Sequence, residues 1–338
     1  MDKNDVKQIR DKCLLPDTCT ECKLVETHIS WVLLTDHYAF KIKRPVEFSF
    51  LDFSTPEKRK FFGEKEIELN RRLAPEMYLD VLPVNHFNQI VEKDDADQDD
   101  VKDYAVKMKR MDNSREMDKM LLNNKINETH LDKIAQKVAF FHQNAKKLKN
   151  AFDTNGFREE FAAIEDVLKH EQHNELHDEM GDQVRQCISK ADRYLNDHRS
   201  FFNERIINGF QRDCHGDLNA TNIFVYDDPV IFDCIEFNSD FRFIDILNEI
   251  AFLCVDLDFW GKEGMSDHFY EKYIELMHLK DSKEDRQLFA FYKAYRANIR
   301  AKVTLLNLEK KQSIDEGKVK DVRNYLSLMN EYTGKFSA

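Results

Sequence analysis

Along the first hundred residues, apolar positions come in short runs of strand length. Ile29–Leu34 and Tyr38–Ile42 read as strands, rich in aromatic and β-branched residues. Val81–Val84 and Tyr104–Met108 read as two more, and the acidic stretch Glu92–Asp100 between them reads as an exposed hairpin loop. One helix interrupts this region. Thr55-Pro56 supplies an N-cap followed by proline at the first helical position, and Ala74-Pro75 marks the stop. At about 100° per residue, Phe62, Glu66, Leu69 and Leu73 fall on one stripe, whereas Glu64 and Glu68 face the other way. Glu66 thus interrupts an apolar face, where a carboxylate needs a cation. After Met111 the periodicity is helical, apart from two short runs, Ile223–Tyr226 and Val230–Phe232, around Asp227-Asp228-Pro229. The pattern predicts an α+β protein, β-rich first and mainly helical afterwards.

Composition narrows the class. The chain has 338 residues, 42% of them hydrophobic with 26 Phe, enough for a large core. No apolar run reaches the roughly 18 residues of a membrane span, and the start Met-Asp-Lys-Asn-Asp lacks a signal-peptide pattern, so a cytoplasmic protein is expected. A net charge of −12 argues against nucleic acid as a broad partner. Seven cysteines, an odd number, read as reduced thiols. Cys19 and Cys22, with Cys13 nearby, have the spacing of half a zinc site without a second pair to complete it. His170, His173 and His177 would share one face of a helix among polar neighbours, which reads as a solvated face.

The strongest chemical signal is Cys214-His215-Gly216-Asp217, followed by Asn222 and then by Asp233 at the end of an apolar run. Phosphoryl transfer from a nucleotide needs a carboxylate to orient the attacking hydroxyl and oxygen ligands to hold Mg²⁺. Asp217 suits the first task; Asn222 and Asp233 suit the second. A hairpin closing symmetrically about Asp227-Asp228 sets Asn222 opposite Asp233, with backbones roughly 4.5–5.5 Å apart. In the small β-rich region, strand alternation places Ala39, Lys41 and Lys43 on one face. Lys41 is the expected partner of Glu66, and Lys43 is the competing candidate. All nine glycines avoid the segment before Lys41, so no glycine-rich phosphate loop precedes it.

These motifs resemble the aminoglycoside phosphotransferase-like kinases. Tyr38-Ala39-Phe40-Lys41 matches the Val-Ala-Ile-Lys pattern of kinase strand three at Ala and Lys. Ser30–Leu34, Phe50–Ser54, Asn70–Pro75 and Phe291–Ala297 extend the likeness to an uncharacterised bacterial subgroup, over about Thr27 to Lys302. Some members of that subgroup carry an additional ATPase domain with a Walker motif; no such motif occurs up to Ala338, so activity is expected from the kinase-like part. The resemblance implies a two-lobed protein-kinase-like fold. Residues 1–108 would form a nucleotide-binding lobe and 109–338 a helical catalytic lobe. It further implies ATP and Mg²⁺ as cofactors, a small-molecule hydroxyl as acceptor and Asp217 as the catalytic carboxylate. Lys41 would contact phosphates, and Thr27 and Ser30 would cover them. The stretch Tyr104–Met111, with Lys107 and Met108, would receive adenine. A protein acceptor, nucleotidyl transfer and a pseudokinase scaffold remain alternatives on the same fold. Glu236 and Asp245 are candidates near the acceptor; Asp245 either braces the catalytic loop or complements a helix N-terminus. Tyr292, Arg296 and Arg300 form a polar stripe, which reads as salt bridges more readily than as an anion site.

Overall fold

The computed structural model describes residues 1–149, 152–170, 174–309 and 315–337. In chain order the first elements are α1 (Lys3–Lys12), β1 (Lys23–Glu26), β2 (Ser30–Leu34), β3 (Tyr38–Lys43), β4 (Glu47–Phe48) and β5 (Leu51–Asp52). Next come α2 (Pro56–Asn70), β6 (Tyr78–Asn85), β7 (Val101–Lys109) and α3 (Met117–Leu122). They are followed by α4 (Glu128–Asn144), α5 (Thr154–Leu168), α6 (Asn174–Asp197), α7 (Arg199–Ile207) and β8 (Gln211–Asp213). The hairpin β9 (Ile223–Phe224) and β10 (Val230–Ile231) precedes β11 (Phe243–Asp245). Last are α8 (Ile246–Phe259), α9 (Glu263–Leu276), α10 (Lys283–Glu309) and α11 (Glu316–Phe336). Two compact units result. The sheet unit comprises Met1–Met120 with Thr221–Arg242, and the helical unit Leu121–Ala220 with Phe243–Ala338. The expected division at 108/109 therefore differs in two ways: the sheet unit runs on to Met120, and it takes back a segment from late in the chain.

In the sheet unit an antiparallel five-stranded sheet has the order β1-β2-β3-β7-β6. Its period-2 alternation sends two sets of side chains to opposite faces. Trp31, Leu33, Phe40, Ile42, Leu82, Val84 and Ala105 pack with Val6 and Ile9 of α1. Ala39, Val81, Val106 and Met108 pack with Ile67 of α2, and with Met77, Tyr78 and Phe224. Burying one such aliphatic side chain contributes about 1.5–3 kcal/mol, so each face holds its helix firmly. Thr55 caps α2 by accepting from Lys58 N at 3.3 Å, with Pro56 at the first position. Gly63 of α2 faces the sheet, where an added Cβ would sit in ordinary van der Waals contact with Val106 and Val81 at 3.4 Å. Arg59 anchors the start of the helix to β7, its Nε and Nη2 donating to the two oxygens of buried Asp103, each at 2.8 Å. The acidic loop between β6 and β7 folds into two 3₁₀ turns, Lys93–Asp95 and Gln98–Asp100.

Two expectations are corrected in this unit. The β9–β10 hairpin pairs Phe224 with Val230 and Ile223 with Ile231, and Phe232 N donates to Asn222 O at 3.0 Å. Asn222 therefore lies opposite Phe232, and Asp233 stands one position beyond. The reason lies at the turn: Val225 N donates to Arg115 O at 2.8 Å, and Pro229 has no N–H, so neither closes the ladder. Also, Cys13 and Cys19 are joined as a disulfide, whereas Cys22, Cys187, Cys214, Cys234 and Cys254 are free thiols. The seven cysteines are therefore not all reduced, and Cys13 and Cys19 satisfy each other instead of serving as zinc ligands. A capping box between Asp2 and Asp5 starts α1, and Cys13, with φ +51°, ends it.

The helical unit is built around α8, in which every residue from Ile246 to Asp258 is buried. A helix apolar on nearly all sides has no solvent face, and α9, α10 and α11 pack against it. β8 and β11 pair antiparallel, Asp213 opposite Phe243 and Gln211 opposite Asp245. Of the three histidines noted above, His173 lies outside the described residues. His170 follows the end of α5 and His177 belongs to α6, so these two do not share one helix. Among the described residues no helix is long and apolar enough to cross a membrane.

Candidate functional site

In the sheet unit, the structure brings Lys41 and Glu66 together. Lys41 Nζ donates to Glu66 Oε1 at 2.8 Å and to Asp233 Oδ1 at 2.6 Å. Lys43, two residues on and on the same strand face, donates to Glu66 Oε2 at 2.6 Å and to Glu236 Oε1. Lys43 also sits 4.7 Å over the Phe53 ring. The competition between Lys41 and Lys43 for Glu66 is thus resolved by sharing. Burial would lower the Lys41 ammonium, but Asp233 and Glu66 beside it hold it well above the ordinary lysine range. Burial likewise pushes Glu66 up, and the two lysines outweigh it to hold the carboxyl below its usual value. Glu236 goes the other way: burial raises it more than Lys43 lowers it.

The segment bearing Asp233 is tied to the end of α2. Asn70 Nδ2 donates to Glu66 O at 2.8 Å, and its Oδ1 accepts from Cys234 N at 2.9 Å. Asp233 N donates to Tyr78 Oη at 3.2 Å. Asp233 itself adopts φ +63°, and its side chain is 45% exposed, against 11% for Lys41 and 0% for Glu66. Asn222 is buried in the 3₁₀ turn Ala220–Asn222, one ladder position from Asp233.

The remaining expected nucleotide contacts fall in two places. Thr27 and Ser30 form the tight β1–β2 turn. Ser30 N donates to Thr27 Oγ1 at 2.9 Å and Thr27 N to Ser30 O at 2.9 Å, while Arg44 Nη1 donates to Thr27 O at 2.9 Å. Ser30 Oγ is buried without a hydrogen-bond partner among the described residues. Lys107 and Met108 lie inside β7, paired with Phe40 and Ala39 on one edge and with Asp80 and Tyr78 on the other. Lys107 donates to Glu92 at 2.6 Å, and Met108 is buried against Ala39 and Tyr78. Their main-chain groups belong to the sheet ladder, and the chain leaves it only at Arg110–Asp112.

In the helical unit, Cys214-His215-Gly216-Asp217 follows β8, and a carboxylate holds its backbone. Glu249 of α8 accepts from His215 N at 2.6 Å and from Gly216 N at 3.0 Å. Arg296 of α10 donates to Asn248 Oδ1 at 2.8 Å and to Gly216 O at 3.4 Å. Gly216 has φ +89°, a conformation L side chains rarely adopt, so glycine is required at this turn. Beyond it, Asp217 O accepts from Asn219 N at 2.9 Å, and Asp256 accepts from Ala220 N at 2.8 Å and from Arg300 Nε at 3.0 Å. The loop is thus clamped at both ends by buried carboxylates, with Asp217 half-buried between them. Burial pushes Glu249 up to about 7, against the opposing pull of Arg296 and of the two backbone N–H groups.

Several expectations take a different form here. The loop's brace is Glu249; Asp245 caps α8, accepting from Leu247 N at 2.8 Å, and takes Arg205 in a paired contact at 2.6 and 2.9 Å. Glu236 faces Lys43 in a buried ion pair. Arg296 and Arg300 make structural contacts, as their polar stripe suggested, with Arg296 buried and Arg300 partly exposed. The structure places Asp217 in the helical unit and Lys41, Glu66, Asn222 and Asp233 in the sheet unit, the division falling between Ala220 and Thr221. Glu249 and Asp256 were not singled out by the motif, although each is a carboxylate inside an otherwise apolar helix.

No family model matches the chain. It is 32% identical over 283 residues to uncharacterised proteins of Mycobacterium bovis and Mycobacterium tuberculosis. That alignment covers 82% of this chain and 53% of the relatives, so the chain spans about half the length of the curated relatives it matches. Among solved structures, amicoumacin kinase in complex with AMP-PNP, Ca²⁺ and amicoumacin aligns with a TM-score of 0.57 at 10% identity, covering 98% of this chain and 94% of that one. Spectinomycin phosphotransferase, bound to ADP and spectinomycin, aligns with a TM-score of 0.56 at 12% identity, over 97% and 98% of the two chains. A choline/ethanolamine kinase family protein from Mesorhizobium loti aligns at 0.51 and 12% identity, over 97% and 99%. An N-terminal antiparallel sheet with its helix, a mainly helical remainder and these matches lead to one conclusion: the chain has the protein-kinase-like fold of the aminoglycoside phosphotransferase and choline kinase type.

Proposed function

We propose that the protein is an ATP- and Mg²⁺-dependent phosphotransferase acting on a hydroxyl of a small molecule. The observation that carries this reading is the Lys41–Glu66 ion pair with Asp233 on the same ammonium. Glu66, fully buried, fixes a lysine whose other contact is a half-exposed carboxylate. The donor set fits the cofactor: Asn222 and Asp233 offer hard oxygens of the kind Mg²⁺ takes, and the exposed Asp233 carboxylate already holds a cation, the Lys41 ammonium.

In this reading Lys41 binds phosphate oxygens, Asn222 and Asp233 hold the metal, and the Thr27–Ser30 turn covers the phosphates. The adenine lies at the end of β7, beyond Lys107 and Met108. Mg²⁺·ATP, when bound, supplies the phosphoryl group and the charge neutralisation that its transfer needs. Asp217 orients the acceptor hydroxyl and takes its proton. The loop's fixed backbone keeps that carboxylate in place, so catalysis is positioning plus electrostatics, with no covalent nucleophile required. The spectinomycin named for one similar structure supports a small-molecule acceptor.

A panel of small-molecule alcohols, read by ADP release, tests this reading, with Asp217→Ala as control. Transfer is expected to fall about 10²–10⁴-fold in Asp217→Ala, with Mg²⁺·nucleotide binding retained. Equal turnover in mutant and wild type refutes the assignment. Intact-mass analysis after incubation with ATP separates phosphate from AMP adducts on a protein acceptor.

A further inference from the structure

The proposed function gives no task to Lys43 or Glu236, yet both are buried and charged. Their contacts close a ring. Asp233 meets Lys41, Lys41 meets Glu66, Glu66 meets Lys43, Lys43 meets Glu236, and the backbone Asp233-Cys234-Ile235-Glu236 returns to the start. Each oxygen of Glu66 holds one lysine. These four contacts draw together three elements: β3, α2 and the segment after β10.

Charge is uneven around this ring. Two ammonium groups face three carboxylates, which leaves one negative charge in excess when all are ionised. Glu66 and Glu236 are 0% and 4% exposed, whereas Asp233 is 45% exposed. The member open to solvent is therefore the one on which a further cation can be received. A buried ion pair is often replaceable by apolar residues of the same volume without loss of stability, so stability alone does not account for Lys43 and Glu236.

Resting on the phosphotransferase reading, we propose that Lys43 and Glu236 are positioning residues for nucleotide-bound Mg²⁺. Glu236 fastens the Asp233 segment to β3 through Lys43. Lys43 in turn holds the second oxygen of Glu66, leaving the first on Lys41. The pair sets where the Asp233 carboxylate stands relative to the Lys41 ammonium, without touching nucleotide itself.

The double variant Lys43→Met/Glu236→Gln tests this, since it removes one charge of each sign and preserves side-chain volume. Thermal unfolding and calorimetric titration with ADP at several Mg²⁺ concentrations are the readouts. The expected result is a melting temperature near wild type, an Mg²⁺·ADP affinity about tenfold weaker, and a higher Mg²⁺ concentration for half-maximal binding. A folded double variant with wild-type affinity and wild-type Mg²⁺ dependence overturns the proposal. If the double variant does not fold, Glu236→Gln alone decides: about threefold weaker binding supports the role, and unchanged binding overturns it. Lys41→Met separates this idea from the one beneath it. Binding lost in Lys41→Met but intact in the double variant sinks only the positioning pair. Wild-type protein that binds no Mg²⁺·ADP, or Lys41→Met that binds it normally, overturns the phosphotransferase reading and the pair with it.

Discussion

In the sheet unit Glu66 receives two lysine side chains; in the helical unit Glu249 receives two backbone amides. Both carboxylates are fully buried on helices, and both sit beside the residues of the candidate site. The partners differ in stiffness. A lysine tip has four carbons of reach and can change acceptor without moving the chain, as Lys41 already does by touching both Glu66 and Asp233. A main-chain N–H cannot move unless the loop does. The first arrangement therefore holds charge that can redistribute, and the second holds a path of the chain. In the proposed function this matches the tasks: redistribution where phosphates and a cation arrive, rigidity where Asp217 must be aimed.

The largest test of that contrast is Glu249→Ala. It leaves two buried N–H donors without their acceptor and should lower unfolding free energy by about 4 kcal/mol in a denaturant titration. A loss as small as that of a surface residue breaks the claim that Glu249 fixes the loop. Next comes pH. Glu249 titrates at about 7 in the native protein against 4.5 for an ordinary glutamate. The native state therefore holds this proton more tightly than the unfolded chain. The stabilisation is complete below about pH 4.5 and disappears as pH rises through 7, a change of about 3 kcal/mol. Stability measured across that window, with Glu249→Gln subtracted, should show this decline; a flat difference sinks it.

Glu66→Ala should cost less, about 2 kcal/mol, because Lys41 keeps Asp233 and Lys43 keeps Glu236. The comparison fails if Glu66→Ala is more damaging to stability than Glu249→Ala. The smallest effect is expected two residues along the same helix. Glu68 is exposed and pairs with Lys65 at 2.8 Å, so Glu68→Ala should change stability by no more than about 0.5 kcal/mol. A larger change would mean that helix position, and not the buried partners, sets the importance of these glutamates.

The same contrast explains what the sequence disclosed. Glu66 was legible because its partner is another side chain, and both left a mark: a charge in an apolar stripe and a lysine at the right strand position. Glu249 accepts from two backbone amides, which carry no residue identity, and its only trace is a carboxylate within Ile246–Phe259, the most thoroughly apolar helix. Asp256 accepts from one backbone amide and also from Arg300, so half of its pairing was visible in the polar stripe. The strands, the capped helix and the acidic hairpin loop followed from local periodicity. The β9–β10 register did not, since it depends on Val225 bonding to Arg115, more than a hundred residues earlier. The Cys13–Cys19 pairing was equally hidden, because cysteine number says nothing of which sulfurs meet. The units' boundary lay beyond reach for a related reason: a late segment rejoins the first unit, and only tertiary contacts reveal that.

Asp233 closes the account through its backbone, not its charge. At φ +63° it occupies a region that glycine, asparagine and aspartate visit readily and other residues resist. Two independent filters therefore act on position 233, one on conformation and one on the side-chain oxygen. Glycine passes the first and fails the second; glutamate does the reverse. Aspartate alone passes both with a full negative charge. Asp233→Ala thus confounds backbone strain with loss of a ligand, whereas Asp233→Asn keeps the conformation and one oxygen while exchanging the charge and the second oxygen for an amide NH₂. At this one residue, the choice of substitution decides which physical question a mutant answers.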